Sequence, residues 1–170
     1  LSNSITDNVI GYYSTILRDY INSIDRCFQQ LNAVTDQLGK TVWVIKLINM
    51  QGTEIDFRRV TPYDLYEYKQ NIYSCMKAND FVDMLGIYLP QKNFVISSIG
   101  SGTLDFILKD SLHIANFDKD KFNQIVKELQ LEKSIILTFD DISIYGRHEG
   151  GVLYFRLAEY SSVESGVIFA

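Results

Sequence analysis

FVDMLGIYLPQKNFVISSIG, residues 81–100, decides how this chain is read. Two runs rich in β-branched and aromatic residues flank Pro90-Gln91-Lys92-Asn93, and a glycine-serine segment follows. The runs predict strands over 82–89 and 93–98, and so short a loop demands antiparallel pairing, since a parallel pair needs a crossover of about a dozen residues. Period-two alternation sets Phe81, Asp83, Leu85, Ile87 and Leu89 on one face and Val82, Met84, Gly86 and Tyr88 on the other. The first face, mostly aliphatic, suits packing under helices. A dinucleotide loop is the competing reading, because Gly100-Ser101-Gly102 follows a strand. Asp105 stands where that fingerprint needs its third glycine, and a carboxylate there would face a pyrophosphate. The stretch reads as a hairpin.

Upstream of it, the first forty residues form one long helical pattern free of proline. Ile5, Val9, Tyr12, Ile16, Tyr20, Cys27, Leu31, Val34 and Leu38 recur at helical spacing, and Ile10, Tyr13, Leu17, Ile21, Ile24 and Phe28 form a second stripe beside them. Gly39 is a natural stop. A helix of about 35 residues extends ~50 Å, more than one small domain can cover. Its N-terminal part is expected to project and meet a partner, a second copy in parallel; a wide-faced buried helix is the plainer alternative. TVWVIKLINM, 41–50, fits either a strand or a short helix. Thr61-Pro62-Tyr63-Asp64 supplies a capping hydroxyl, a proline at the first helical position and an acid at the third, predicting a helix from Pro62 to about Ala78 that buries Leu65, Tyr68, Ile72 and Met76 and ends at Asn79-Asp80.

Downstream, Gly100 to Asn116 reads as a looser region, and Asp118 or Asn116 caps a helix through Leu129 with Phe122, Ile125, Val126 and Leu129 inward. Strands are expected at 134–139, 142–146, 152–160 and 166–170, separated by Asp140-Asp141, Arg147–Gly151 and Ser161–Ser165 as turns. The sum is an α+β fold: a long helix (1–40), then a module (41–170) with helices on one face of an antiparallel sheet of about five strands.

Composition narrows the function. At 170 residues and 46% hydrophobic content the chain is most simply one folded domain. A net charge of -5 with scattered Lys and Arg argues against nucleic acid. Cys27 and Cys75 have no metal-ligand spacing; they read as separate buried thiols or as a disulfide. No apolar run reaches the ~18 residues that cross a bilayer. The chain opens on Leu1 and stops at Ala170 in a strand-like run, so it reads as a piece of a longer protein whose membrane segments would lie outside it.

Catalytic patterns are weak. His148-Glu149 runs into two glycines and is no HExxH helix; with His113 the only other histidine, a zinc site lacks ligands. Asp118 and Asp120 open like a calcium loop without its glycine and distal glutamate. Asp83 and Asp140-Asp141 could pair as hydrolytic carboxylates, but no nucleophile elbow accompanies them. The expectation is no enzyme, no metal and no cofactor. Arg147 and Arg156 carry more interest. Arg156, amid VLYFRLAEY with Tyr154 on its face, needs an anionic partner, whether Glu159, Asp141 or a ligand.

Three stretches, DYINSIDRCFQQLNAVTDQL (19–38), the opening one, and GGVLYFRLAEYSSVESGVIFA (150–170), resemble extracytoplasmic Cache sensor domains, as found at the front of Firmicute AraC-type transcriptional regulators and sensor histidine kinases. The resemblance implies a long helix emerging from a first membrane span, a PAS-like antiparallel sheet, and a return to a second span. It implies an extracellular domain of a membrane signalling protein that binds a small molecule and relays through the long helix. Amino-acid-binding members carry an Arg-x-Trp-Tyr cluster after the first hairpin. Here the only tryptophan is Trp43, so that signature does not carry over. Ligands in such sheets sit in the concavity under the covering loops, which points to Tyr88, Ser98, Tyr145, Tyr154 and Arg156, with Gly100–Leu104 as a mobile cover and a sugar or carboxylate as ligand. An envelope protein-interaction module without a small ligand is the alternative.

Overall fold

A computed structural model describes residues 2–79, 81–159 and 165–170, the backbone alone at 2–9, 159 and 165. The chain runs α1 (Ser2–Gly39), α2 (Val42–Ile48), α3 (Pro62–Lys77), β1 (Gly86–Leu89), β2 (Phe94–Ser97), β3 (Gly100–Thr103), α4 (Leu104–Asp110), β4 (Leu112–Ile114), α5 (Lys119–Glu128), β5 (Ser134–Ile144), β6 (Arg147–Glu159) and β7 (Ser165–Phe169). It is a mixed helical and antiparallel-sheet fold led by a long helix. The sheet has seven strands, not about five, in the order β3-β2-β1-β7-β6-β5-β4, every pair antiparallel. The two extra strands, β3 and β4, come from the segment read as loose. Without these edge strands the remaining five run 2-1-5-4-3, the last strand inserted beside the first.

Helices cover both faces of the sheet, not one. From Met84 onward strand alternation divides the side chains as expected: Leu85, Ile87 and Leu89 join Ile96 and Ile168 under α1, α2 and α3, in a core completed by Leu38, Val44, Leu47 and Ile72. Val82, expected with Met84 and Tyr88, packs on that same side instead. Met84 and Tyr88 turn the other way, with Leu153, Phe155, Val167 and Phe169, under α4 and α5. Burial on two faces is why β1 (GIYL) and β2 (FVIS) read as near-continuous apolar runs.

Local chemistry explains the helix ends. Thr61 Oγ1 accepts from the Asp64 amide at 3.2 Å while the Asp64 carboxylate accepts from the Thr61 amide at 2.7 Å, a reciprocal cap at the start of α3. Asp118, not Asn116, caps α5 by accepting from the Lys121 amide at 3.0 Å. Gly39, the last residue of α1, packs closely on the sheet. A Cβ there would lie 2.9 Å from Ile168 Cδ1, so glycine lets the helix end press onto β7. Residues 41–50 form the short helix α2, not a strand.

The late strands differ from the expected set. Residues 134–139 and 142–146 belong to one strand, β5, and Asp140-Asp141 is a bulge in it where the register with β6 shifts between Phe139 and Ile142. Arg147–Gly151 is not a turn but the first part of β6. Gly150 and Gly151 make room for the bulge: a Cβ on Gly151 would meet Ile142 Cδ1 at 3.0 Å, and one on Gly150 would meet the Asp140 carbonyl at 3.3 Å. The reversal is Tyr145-Gly146, with φ of 50° and 76°, the positive pair that a two-residue hairpin requires. The separators proposed at Asp80 and Ser161–Ser165 fall outside the described residues, apart from Ser165, which opens β7.

Candidate functional site

Residues at even positions along β6 face α1. Tyr154 donates its hydroxyl to Asn32 Oδ1. Arg156 Nη1 donates to the Asn32 carbonyl at 3.2 Å and to its Oδ1 at 3.3 Å, and Nη2 donates to Asp36 Oδ1 at 3.2 Å. Lys40 binds the other oxygen of the same carboxylate at 2.5 Å. The partner of Arg156 is therefore Asp36. Asp141 instead meets His148 at 2.9 Å, and the side chain of Glu159 lies outside the described residues.

This clamp walls a cleft of about 260 Å³ lined by Thr35, Asp36, Lys40, Lys133, Arg156 and their apolar neighbours. Three cations, Lys40, Lys133 and Arg156, line the cleft with one carboxylate, Asp36. The Asp36 carboxyl is held below its ordinary range, first by the Lys40 hydrogen bond and then by the charges of Lys40 and Arg156, against an opposing push from burial. Lys133 makes no ion pair among the described residues. A small anion fits this electrostatic pattern, with Lys133 and Arg156 as its donors.

The five side chains expected to form one pocket are spread over four places. Only Tyr154 and Arg156 stand together on the α1 face. Tyr88 points into the opposite core, its hydroxyl donating to Asn123 Oδ1 at 3.3 Å, and burial raises its pKa. Ser98 is buried where the first hairpin closes: its Oγ accepts from the Leu85 amide at 3.2 Å and its amide donates to the Leu85 carbonyl at 2.9 Å. Tyr145, in the β5–β6 turn, donates its hydroxyl to the Ile99 carbonyl and so latches that turn to the segment before β3. Gly100–Leu104 is not a loose cover; it is β3 and the start of α4.

A second, larger cavity of about 540 Å³ lies beside the middle of α1. Tyr20, Ile24 and Phe28 line one side, Phe81–Met84 another, and Glu149–Leu153 of β6 a third, with Ala170 at its head. Cys27, which also lines it, and Cys75 on α3 are unpaired thiols; burial pushes the Cys75 thiol up. Among the described residues no group of three His, Cys, Asp or Glu side chains could hold a metal, and no helix is long and apolar enough to cross a membrane.

Sequence reasoning missed Asn32, Asp36, Lys40 and Lys133. The one available signal was that Asn32 and Asp36, four apart, stand as polar neighbours of the Leu31, Val34, Leu38 stripe. Compared with protein-family models, curated proteins and solved structures, the chain matches none.

Proposed function

We propose that this chain is a ligand-sensing domain of the PAS-like Cache kind, on the extracellular side of a membrane-bound signalling protein such as a transcriptional regulator or sensor kinase. The observation that carries the reading is the placement of the charged cleft. It lies between β6 and the C-terminal part of α1, which packs on the sheet, so a bound molecule touches the helix and the sheet at once. The central 2-1-5-4-3 order and the long leading helix support the PAS-like assignment. A small carboxylate is the ligand class that Lys133 and Arg156 favour; a sugar would use the same donors less fully.

The test is thermal shift with a panel of small mono- and dicarboxylates and sugars on paired variants. Lys133 is exposed and bonded to nothing among the described residues, so Lys133→Ala will leave the unliganded melting temperature unchanged. It will weaken a carboxylate by about 1.5–3 kcal/mol, the range of a charged hydrogen bond, or about 10- to 150-fold. Arg156→Ala will lower both melting temperature and affinity, because it also breaks the bonds to Asn32 and Asp36. A full ligand shift retained in Lys133→Ala would remove the cleft as the site.

The output surface is the N-terminal half of α1. Ile10, Tyr13, Leu17, Tyr20, Ile24, Cys27, Leu31, Val34 and Leu38 follow alternating steps of three and four, the seam of a coiled coil. Val34 and Leu38 are buried on the sheet and Leu31 packs beside them, while Ile10 through Ile24 stand 38–66% exposed, a face that a parallel second copy would cover. In a background with Cys27 and Cys75 changed to serine, Tyr13→Cys and Leu17→Cys will form disulfide dimers several-fold faster than Arg18→Cys, which lies off the seam. Equal rates at the three positions would remove the helix-to-helix dimer.

A further inference from the structure

Among the described residues, every hydrogen bond from the Arg156 guanidinium ends on one turn of α1. Nη1 donates to the Asn32 carbonyl and to Asn32 Oδ1, and Nη2 donates to Asp36 Oδ1. Each of these acceptors also has a donor other than Arg156. Thr35 Oγ1 donates to the Asn32 carbonyl at 3.2 Å, and the Tyr154 hydroxyl donates to Asn32 Oδ1. Lys40, one turn further along α1, holds the Asp36 carboxylate at 2.5 Å. Arg156 can therefore leave α1 without stranding an acceptor, which is the main penalty for breaking a part-buried polar contact. The converse does not hold. Arg156 has no second acceptor among the described residues, so it can leave α1 only for one that arrives from outside.

We propose that Asp36 is a resident competitor in the charged cleft, and that a small carboxylate binds by taking Arg156 away from it. This rests on the cleft being the ligand site, as proposed above. A guanidinium grips a carboxylate best with two parallel N–H bonds, and either edge that can do so includes Nη2. Nη2 is the nitrogen that Asp36 holds. Two carboxylates on one nitrogen repel each other at close range, so the ligand and Asp36 exclude one another there. Once displaced, Asp36 keeps its bond to Lys40, and its charge stays paired within α1. The ligand lies between Arg156 and Lys133, the cation of the cleft with no ion pair among the described residues. Binding exchanges a tie between helix and sheet for one inside the helix. It unhooks the Asn32–Asp36 turn of α1 from β6, while Val34 and Leu38 stay in the core. Asp36 therefore sets both the affinity threshold of the site and the link from ligand to helix.

The probe is malonate, titrated into the whole 170-residue chain at fixed ionic strength and followed by backbone amide shifts. Asp36→Asn keeps the shape of the side chain and removes its charge. It is expected to bind malonate about tenfold more tightly than the wild type, the effect of one charged hydrogen bond no longer contested. Lys133→Ala will bind malonate more weakly than the wild type. A second measurement separates displacement from simple repulsion. Spin labels at Gln37→Cys on α1 and Thr138→Cys on β5, both exposed positions, are placed in a background with Cys27 and Cys75 changed to serine. Saturating malonate will shift or broaden the distance between them. Equal or weaker binding by Asp36→Asn would overturn the proposal, because Asp36 would then be positioning Arg156 for the ligand. An unchanged distance at saturation would overturn it too. If Lys133→Ala binds as the wild type does, or if none of the three proteins binds, the cleft is not the site and both readings fall. Loss in Lys133→Ala without a gain in Asp36→Asn removes this inference alone.

Discussion

Phe122→Ala will lower the unfolding free energy by about 3–5 kcal/mol. Phe122 is buried on α5 at the meeting point of the core that α4 and α5 cover. Its ring meets four others edge-to-face, with centroids 5.2 Å from Tyr88, 5.4 Å from Phe155, 5.9 Å from Phe169 and 6.0 Å from Phe117. Those partners come from β1, β6, β7 and the segment before α5, so no single element can move in to fill the space. The loss combines transfer of the ring, the cavity left behind and the favourable ring contacts. For a chain of this size it corresponds to a fall in melting temperature on the order of 10 °C. Phe106→Ala is the control: Phe106 is 50% exposed on α4 and should cost far less. A cost below about 1.5 kcal/mol for Phe122→Ala would mean that α5 is not the keystone of this core.

Leu38→Ala will cost about 2–5 kcal/mol and act on a different part of the molecule. Leu38 is fully buried in the last turns of α1, among the side chains of α2, α3 and the sheet. The Asp36–Arg156 ion pair ties β6 to the same stretch of helix but is about one-third exposed, and exposed ion pairs contribute little. Leu38 and Val34 therefore hold α1 down, and the clamp fixes its angle. Chemical denaturation gives the total. A spin-label distance from α1 to α3 reports whether the helix end lifts before the rest unfolds. If Leu38→Ala costs under about 1 kcal/mol while Arg156→Ala costs more, that division of labour is reversed.

What the sequence made legible was chemistry confined to a few neighbouring residues. Thr61, Pro62 and Asp64 announce the start of α3 because all three act within one helical turn, and Asp118 does the same for α5. The first hairpin was readable from its alternation, though β1 begins at Gly86 and not at 82; the residues before it line the larger cavity. Short elements were not readable. α2 is seven residues of mostly β-branched and aromatic character, and only burial of Val44, Leu47 and Ile48 against the other helices favours its helical form. Gly150-Gly151 misled because glycine pairs usually break strands; here they accommodate a bulge on the neighbouring strand. As for the site, Arg156 was identifiable as a charge among apolar residues, but its partners lie 120 and 124 positions away and left no local trace. Grouping Tyr88 with Tyr154 failed because which side of the sheet a residue meets depends on long-range register.

The anchoring of α1 at one end gives it mechanical leverage. Its docked portion starts near Leu31, and the arm from there back to Ile10 measures about 32 Å at 1.5 Å per residue. A tilt of ~5° about the Asp36–Arg156 pivot would swing the far end of that arm by ~3 Å, roughly half a helical pitch. Displacements at the pivot itself would be a few tenths of an ångström, within what a side chain adjusts on meeting a ligand. In the proposed sensor, gain would be set by arm length and stiffness, not by the size of the ligand. A glycine pair inserted midway along the arm would absorb the swing and silence the tip, leaving events at the pivot untouched.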